Sequence, residues 1–253
     1  MPTTLVVIAH PDRRSFTGAW AQASIAALEA KGDRVLISDL STGFDAVEAA
    51  HHHPDWPAGE SFDPLKAQER LTGDCPLPPD IAAEVEKLEA ADRVIFHFPI
   101  WWFAPPAVLK GWCDRVFLHG RTHDVDNRFD TGLFRGRQAL FCVSTGSSAA
   151  ESSPSGKEGD IRLLLWPLAQ TLRYLGFTVL EPELVHGVHG YWTGEERNAV
   201  EARLGAVLAR QADLLADWNA RPEIPFNSET DFDDRGQLRP DAPSYGPFIR
   251  HGS

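Results

Sequence analysis

Short continuous apolar runs alternate along the chain with longer segments in which apolar residues recur every three or four positions. Such runs, rich in β-branched and aromatic residues, are typical of strands covered on both faces. We predict five of them, "TLVVIA" (4–9), "RVLIS" (34–38), "RVIFHF" (93–98), "QALFCVS" (138–144) and "FTVLEP" (177–182). Strands that alternate with helices indicate an α/β fold, a doubly wound five-stranded parallel sheet with helices on both faces.

The helical pattern covers residues 17–32, 78–92, 107–117, 161–176 and about 193–218. Pro167 lies inside the fourth of these segments, so that helix should kink or begin late. Thr193 and Glu196 have the spacing of a capping box, which would start the last helix. Residues 39–79 are dense in His, Pro, Gly and Asp, and we expect an excursion over the surface there.

The last part of the chain changes in composition. From residue 219 it holds five prolines and few periodic apolar positions, so we expect an extended C-terminal arm (219–253) appended to one domain (1–218). Phe226, Phe232, Tyr245 and Phe248 are its expected anchors, either across a dimer or over apolar surface of the same chain.

Charge and composition narrow the classes of function. The 253 residues carry a formal net charge of −12, which argues against nucleic acid as a partner. No segment approaches the ~18 consecutive apolar residues that membrane insertion needs, and Cys75, Cys113 and Cys142 have no zinc or disulfide spacing. We expect reduced, buried thiols and a cytoplasmic location.

Ligands of doubly wound sheets bind beyond the carboxyl ends of the strands. Three loops occupy that position, residues 10–17, 99–105 and 144–160. The first carries His10, Ser15 and Thr17 at a helix start, where amides and hydroxyls suit a phosphate. It lacks both GxGxxG and GxxxxGK[ST], and Ser15 could be no more than an N-cap.

The second loop is "PIWWFAPP", residues 99–106. Its aromatics are consecutive, so they cannot all face the core at a period of two or 3.6. At least one should meet a ligand or a partner: a flat heteroaromatic ring such as a flavin, or a second subunit. The third loop, "STGSSAAESSPSGKEGD", offers hydroxyls and amides, although by composition it could also be a loop without a role.

The chain resembles the flavodoxin-like NAD(P)H:quinone oxidoreductases of the DT-diaphorase type. The resemblance runs from Leu5 to about Trp218 and is carried by "VVIAHPDRRSFTGAW", "LEAADRVIFHFPIWWFAPPAVLKGWCDRVF", "LFRGRQALFCVSTGSS" and "LLLWPLAQTLRYLGFTVLEPEL". It implies a homodimer that holds FAD, with FMN as the alternative. Hydride would pass from NADH or NADPH to the flavin and then to a quinone in a ping-pong cycle, at an active site on the dimer interface.

The same resemblance implies roles for individual positions. Residues at the flavin's phosphate end would be His10, Ser15, Phe16 and Thr17. Residues flanking the ring would be Pro99, Ile100, Trp101, Trp102 and Phe103, of which Trp101 replaces an amide. Residues bonding its polar edge would be Ser144, Thr145, Gly146 and Ser147.

The catalytic positions depart from the family. Where the family has a tyrosine and a histidine beside the flavin, this chain has Ser152 and Glu158. A carboxylate cannot supply the histidine's cationic form, so a proton relay must differ. His123 and Val125 correspond roughly to two pocket tyrosines contributed by the partner subunit, and His189 lies near another pocket histidine.

Two alternatives stay open, one from these departures and one from the acidic charge, the C-terminal arm and the regulatory relatives that the resemblance implies. The first is a flavoprotein with a remodelled pocket for another aromatic substrate, and the second is a regulatory subunit of a membrane transport protein. We predict no metal site: His51, His52 and His53 are consecutive loop residues that should diverge into solvent, and "DFDDRG" lacks the ligands of a calcium loop.

Overall fold

The computed structural model describes residues 1–72 and 76–252, so Cys75 lies outside the described residues. A parallel sheet forms its centre, in the order β2-β1-β3-β4-β5, with β6 also paired to β4. The strands are β1 (Thr3–Ile8), β2 (Arg34–Asp39), β3 (Arg93–Pro99), β4 (Gln138–Ser144), β5 (Thr178–Val179) and β6 (Glu183–Val185). The flavodoxin-like α/β fold with five strand positions is therefore confirmed.

Seven α-helices occur within the described part of the chain. They are α1 (Phe16–Ala30), α2 (Pro64–Thr72), α3 (Pro79–Ala90), α4 (Ala107–Val116), α5 (Ile161–Leu175), α6 (Gly194–Ala209) and α7 (Gln211–Ala216). Alternate strand residues point to opposite faces, so Val7 packs with α3, α4 and α5 while Val6 packs with α1 and α7. Both faces of the sheet are thus covered, which explains the uninterrupted apolar runs.

The fifth strand differs from its prediction. It is broken into β5 and β6, with Leu180 between them forming an antiparallel bridge to Glu223. The Ile224 N–H also donates to the Val179 carbonyl at 2.8 Å. The chain from residue 221 therefore lies along this edge of the sheet. It pairs with backbone groups of the edge strand that would otherwise have no partner.

The sequence left two outcomes open for the fourth predicted helix, α5, a kink or a late start at Pro167. The late start is excluded: Asp160 caps the helix by accepting from the Arg162 N–H at 2.9 Å, and the helix runs through the proline to Gly176, whose φ of +100° ends it. The prediction for the last helix was wrong in detail. The last predicted helix is two helices, broken at Arg210, and the Thr193 side chain makes no capping bond. α2 was not predicted at all, within the expected surface excursion.

Burial explains why the two cysteines within the described residues are unreactive. Cys113 and Cys142 are buried and free, as predicted. Removal from water disfavours the thiolate, so burial raises the pKa of the Cys113 thiol to about 12 and raises that of Cys142 further. Both are inert packing residues at neutral pH.

No helix in the described ranges 1–72 and 76–252 combines the length and apolarity required to cross a bilayer.

Candidate active site

The three predicted loops meet at the carboxyl edge of the sheet. They lie near β1, which has β2 on one side and β3 on the other. The Thr17 hydroxyl at the start of α1 lies 3.3 Å from the Ser144 hydroxyl at the end of β4, and both residues are buried. The Ile100 N–H donates to the Ser144 carbonyl at 2.8 Å. Ser144 therefore fixes the first and second loops relative to the third.

The first loop presents backbone donors. Ser15 accepts the Gly18 N–H at 3.1 Å and so caps α1, whereas the N–H groups of Phe16 and Thr17 have no acceptor among the described residues. Gly18 is required here, because a Cβ would lie 2.2 Å from the Arg13 carbonyl oxygen. The start of α1 is thus a place where two free N–H groups and the helix dipole favour an anion.

Both arginines of the first loop already form ion pairs with carboxylates. Arg13 pairs with Asp39, and Arg14 pairs with Asp12 at 2.7 Å. The Arg14 hydrogen bonds lower the pKa of Asp12 to about 2. Backbone amides, and not these arginines, are therefore what the loop offers a phosphate.

The second loop is a tight turn closed by two hydrogen bonds between Trp101 and Ala104, at 2.9 and 3.1 Å. Its two central residues, Trp102 and Phe103, have φ of +51° and +62°. Positive φ at both central positions is the pattern of a type I′ turn, normally built from Asn and Gly. Each such residue costs roughly 1–2 kcal/mol here, so this strained turn is maintained by its surroundings.

This turn exposes its aromatic rings. Trp102 is 94% exposed, Phe103 55% and Trp101 43%. The ring of Trp101 meets His10 edge to face, with centroids 5.6 Å apart. Trp101 therefore joins the second loop to the first, whereas Trp102 and Phe103 present faces that nothing in the described chain covers.

The third loop is a folded unit and not a flexible linker. Its hydroxyls form a chain: Thr145 Oγ1 lies 3.0 Å from Ser147 Oγ, which is hydrogen-bonded to Ser152 Oγ. The Glu158 N–H donates to the Glu151 carbonyl at 3.0 Å, and Lys157 pairs with Glu151 at 2.9 Å. These contacts position both Ser152 and Glu158 at the edge of the sheet.

A pocket of about 370 Å³ opens between the second and third loops. Predicted site residues form most of its lining, which consists of Ile100, Trp102, Phe103, Thr145, Gly146, Ser147, Ser152, Glu158, Ile161, Leu164, His189 and Tyr191. Among these lining residues, Glu158 alone carries a carboxylate, and no Lys or Arg is present. The pocket is thus a mainly apolar space that also presents hydroxyls and one carboxylate.

A fourth loop, of which the resemblance had indicated only His189, completes the pocket. It follows β6, and its Val188 N–H donates to the Thr145 carbonyl at 2.9 Å. His189 stacks on Trp192 with ring centroids 4.5 Å apart, and its Nδ1 accepts the Tyr191 N–H at 3.3 Å. "GVHGYWTG" could have indicated this loop, but the predicted fifth strand ended before β6, so the segment was not recognised as following a strand.

His123 lies elsewhere in this chain. It lines a second, larger cavity of about 770 Å³, beside Tyr174, with ring centroids 5.4 Å apart. Burial lowers the pKa of His123, so the neutral ring is favoured. Phe103 borders both cavities. The structure therefore brings together Ser152, Glu158 and His189, but not His123.

The predicted divergence of the three consecutive histidines is wrong. His53 is buried and its Nε2 bonds Glu48 at 2.7 Å. The rings of His51 and His52 lie 4.0 Å apart, and both face Asp45. A helical turn at Ala50–His52 directs the first two toward Asp45, although His51 remains exposed.

The site suits a flavin phosphate and ring by its own chemistry. The two free N–H groups of α1 match a phosphate, the exposed faces of Trp102 and Phe103 match a flat ring, and the hydroxyl chain can bond a polar ring edge. Nothing lies closer than 3.9 Å to a Cβ built on Gly146, so the wall beside it is open.

Comparison with known proteins agrees with this geometry. Residues 2–209 match the family described as having a flavodoxin-like fold. The rat NAD(P)H dehydrogenase [quinone] 1 is 39% identical over 187 residues, covering 73% of this chain and 68% of the relative. The human ribosyldihydronicotinamide dehydrogenase [quinone] is 34% identical over 237 residues, covering 90% and 96%.

A solved structure extends the likeness to the arm. A Klebsiella pneumoniae protein, provisionally described as a quinone reductase, has 31% sequence identity and a TM-score of 0.84, covering 97% of this chain and 98% of that one. The family match, the two relatives and this structure all span the sheet and its loops. The chain is therefore an oxidoreductase that belongs to the flavodoxin-like NAD(P)H:quinone oxidoreductase family.

Proposed function

We propose that this protein is a flavin-dependent NAD(P)H:quinone reductase that transfers two electrons as hydride in a ping-pong cycle. The observation that carries the proposal is the junction of strand-end loops at one edge of the sheet. Hydroxyls and exposed aromatic rings line one pocket there, and the Thr17–Ser144 contact ties the free N–H groups at the start of α1 to the third loop. The names of both relatives support a quinone as acceptor, and the name of the rat relative supports NADH or NADPH as donor.

FAD is the flavin we propose, with FMN as the alternative. Bound flavin would supply the hydride-accepting and hydride-donating ring. The N–H groups of Phe16 and Thr17 would hold its phosphate, and His10, with Trp101 against it, would flank the phosphate end. Trp102, Phe103 and Ile100 would flank the ring. Thr145 and Ser147 would bond its polar edge, next to Gly146.

The chain's own residues would carry the proton. Ser152 is 7% exposed and bonds Ser147, so its hydroxyl acts within the chain of hydroxyls and does not reach solvent freely. His189 Nδ1 accepts a backbone N–H, and the neutral ring therefore carries its proton on Nε2. We assign His189 as the donor of a proton to the reduced acceptor, and Ser152 as a hydrogen-bonding residue.

Glu158 gives this pocket a different electrostatic character from one lined by histidine. A carboxylate favours positive charge developing on the nicotinamide as it loses hydride, and it disfavours negative charge on the reduced ring. The two effects oppose each other while the flavin is being reduced, whereas the second makes the reduced flavin a stronger donor to the acceptor. The carboxylate also favours the second candidate function, a flavin-dependent reductase that acts on flat aromatic acceptors other than quinones.

We propose a homodimer whose partner completes the pocket. Val125 is 66% exposed, and the 770 Å³ cavity beside it is mainly apolar and reaches Phe103. A second copy laid on this surface would cover Trp102 and Phe103 and bring its His123 toward the pocket, and the donor and acceptor would use the same face in turn. The cytoplasmic location expected from the sequence stays a prediction.

The proposal is tested by purifying the protein and identifying the flavin released by heat. Yellow protein, reduction of its flavin by NADH or NADPH in stopped flow, and parallel double-reciprocal plots with a quinone are the expected results. Protein that takes up neither FAD nor FMN contradicts the proposed function. A reduced flavin that transfers electrons to other aromatic acceptors, but poorly to quinones, supports the second candidate.

A further inference from the structure

The side chains of Asp45, His51 and His52 converge in the connection that follows β2. The Nε2 atom of His51 lies 3.5 Å from Asp45 Oδ2, and the Nε2 atom of His52 lies 3.2 Å from the same oxygen. These three ligand atoms all lie within 4.8 Å of one another. The cluster lies outside the pocket proposed for the flavin, so it is independent of the proposed function.

The carboxylate of this cluster is oriented by its own loop. Asp45 Oδ1 accepts the Val47 N–H at 3.0 Å, and the Asp45 backbone carbonyl accepts from Arg115 at 2.7 Å. Arg115, on α4, is 1% exposed. With one carboxylate oxygen held by the backbone and the main chain fixed to a buried arginine, Oδ2 is directed at the two histidines.

His52 has an unsatisfied nitrogen at this point. Its Nε2 is buried and, despite the 3.2 Å separation, has no hydrogen bond of acceptable geometry within the described chain. A buried polar atom without a partner is costly. The neighbouring His51 ring, 4.0 Å away between centroids, adds a second imidazole on the same side. Two nitrogens and one oxygen therefore surround a single unfilled point.

We propose that Asp45, His51 and His52 bind one divalent transition metal ion of the Zn²⁺ type. Zinc–nitrogen and zinc–oxygen bonds of about 2.0–2.1 Å place tetrahedral ligand atoms roughly 3.3 Å apart. The observed separations of 3.2 and 3.5 Å from Asp45 Oδ2 match that spacing. Because His51 is exposed, the fourth position is open to water.

The ion would stabilise the packing of the connection between β2 and α2 on the domain. Ala46 lies directly against α4, where a Cβ on Gly111 would come within 2.0 Å of the Ala46 carbonyl oxygen. Metal ligation by Asp45, His51 and His52 would hold in place the chain before and after Ala46. Binding to the native state and not to the unfolded state raises stability by mass action.

The test uses Zn²⁺ itself and the intact purified protein. Competition with a chromophoric chelator should give one Zn²⁺ per chain, and the affinity should fall at least about tenfold in Asp45→Asn and in His52→Ala. His251→Ala, which removes an exposed histidine of the arm, should bind Zn²⁺ like the unchanged protein. Circular dichroism spectra and melting curves without metal check that each variant folds.

Two results would overturn the proposal. One is the absence of Zn²⁺ binding, and the other is binding that Asp45→Asn leaves intact, which would mean adventitious capture by consecutive histidines. X-ray absorption at the zinc edge gives a second measurement: two imidazoles and oxygen ligands are expected, and fewer than two imidazoles contradict the assignment.

Discussion

The hydroxyls of Thr17 and Ser144 lie 3.3 Å apart in a buried position, although the two residues are 127 positions apart in the chain. One begins α1 and the other ends β4, so this single contact joins the first and third loops of the pocket. Both hydroxyls would be unsatisfied without it. The contact therefore links the stability of the domain to the geometry of the proposed flavin site.

Thr17→Val removes the hydroxyl at nearly constant volume. Ser144 then loses a buried partner, which should cost about 1 kcal/mol of unfolding free energy, and flavin affinity should fall because the start of α1 is no longer fixed to the third loop. Urea unfolding and quenching of flavin fluorescence measure the two effects. Thr193→Val, at an exposed residue without a capping bond, should change neither quantity; loss of flavin binding in that control would point to a nonspecific effect.

Trp102→Gly should separate stability from ligand binding. Glycine relieves the positive φ at this position and loses little packing, because Trp102 is 94% exposed. After the entropy cost of glycine, the flavin-free protein should gain about 0.5 kcal/mol, whereas flavin retention should weaken with the loss of an aromatic face. Trp101→Gly is the matched control. It has no such strain and contacts His10, so it should lose stability; a gain there would contradict the strain argument.

Glu158→Gln should raise the midpoint potential of the bound flavin. Removal of the carboxylate lessens repulsion of the reduced, more negative ring, and each tenfold change in the two-electron equilibrium corresponds to about 30 mV. Flavin binding should be retained, and hydride transfer from the reduced flavin to the acceptor should slow, because the reduced flavin is then a weaker donor. A redox-dye titration gives the potential. Glu195→Gln, on the exposed surface of α6, should leave it unchanged, and equal shifts in both variants would rule out a local effect.

His97 should make the protein less stable in acid. Burial lowers the pKa of His97 to about 3, from an ordinary value of 6.5. Between those values the unfolded chain binds a proton that the folded chain does not, so stability is lost as the pH falls below 6.5. From pH 7 to pH 5 this amounts to about 2 kcal/mol. Urea unfolding at both pH values measures it.

His97→Gln should reduce that pH dependence, because an amide does not titrate in this range. The amide can still bond the Ser24 hydroxyl, which lies 2.9 Å from His97 Nε2. His251→Gln, in the exposed arm, provides the control and should keep the full dependence. The same slope in His97→Gln and in the unchanged protein would show that other groups account for acid sensitivity.

Much of the fold and part of the site followed from local pattern. Apolar runs such as Leu5 to Ile8 are buried on both faces, and each depends only on its own composition and on the sheet beside it. Loops at strand ends are placed together by any parallel sheet, which is why Trp102, Ser147 and Glu158 could be predicted to share one edge. The consecutive aromatics also indicated exposure, and Trp102 is exposed.

What only the tertiary structure decided depends on contacts between distant segments. β5 and β6 separate where the register against β4 moves by one residue, from Ala139 opposite Val179 to Cys142 opposite Glu183. The arm pairs with the chain at this break, and no periodicity within the strand predicts that pairing. The His189 loop joins the pocket through its hydrogen bond to Thr145, and the loop in which His51 and His52 face Asp45 is held by Arg115 of α4. Local sequence determined which residues form strands and helices, whereas long-range hydrogen bonds decided which side chains face each other, since those bonds join residues far apart in the chain.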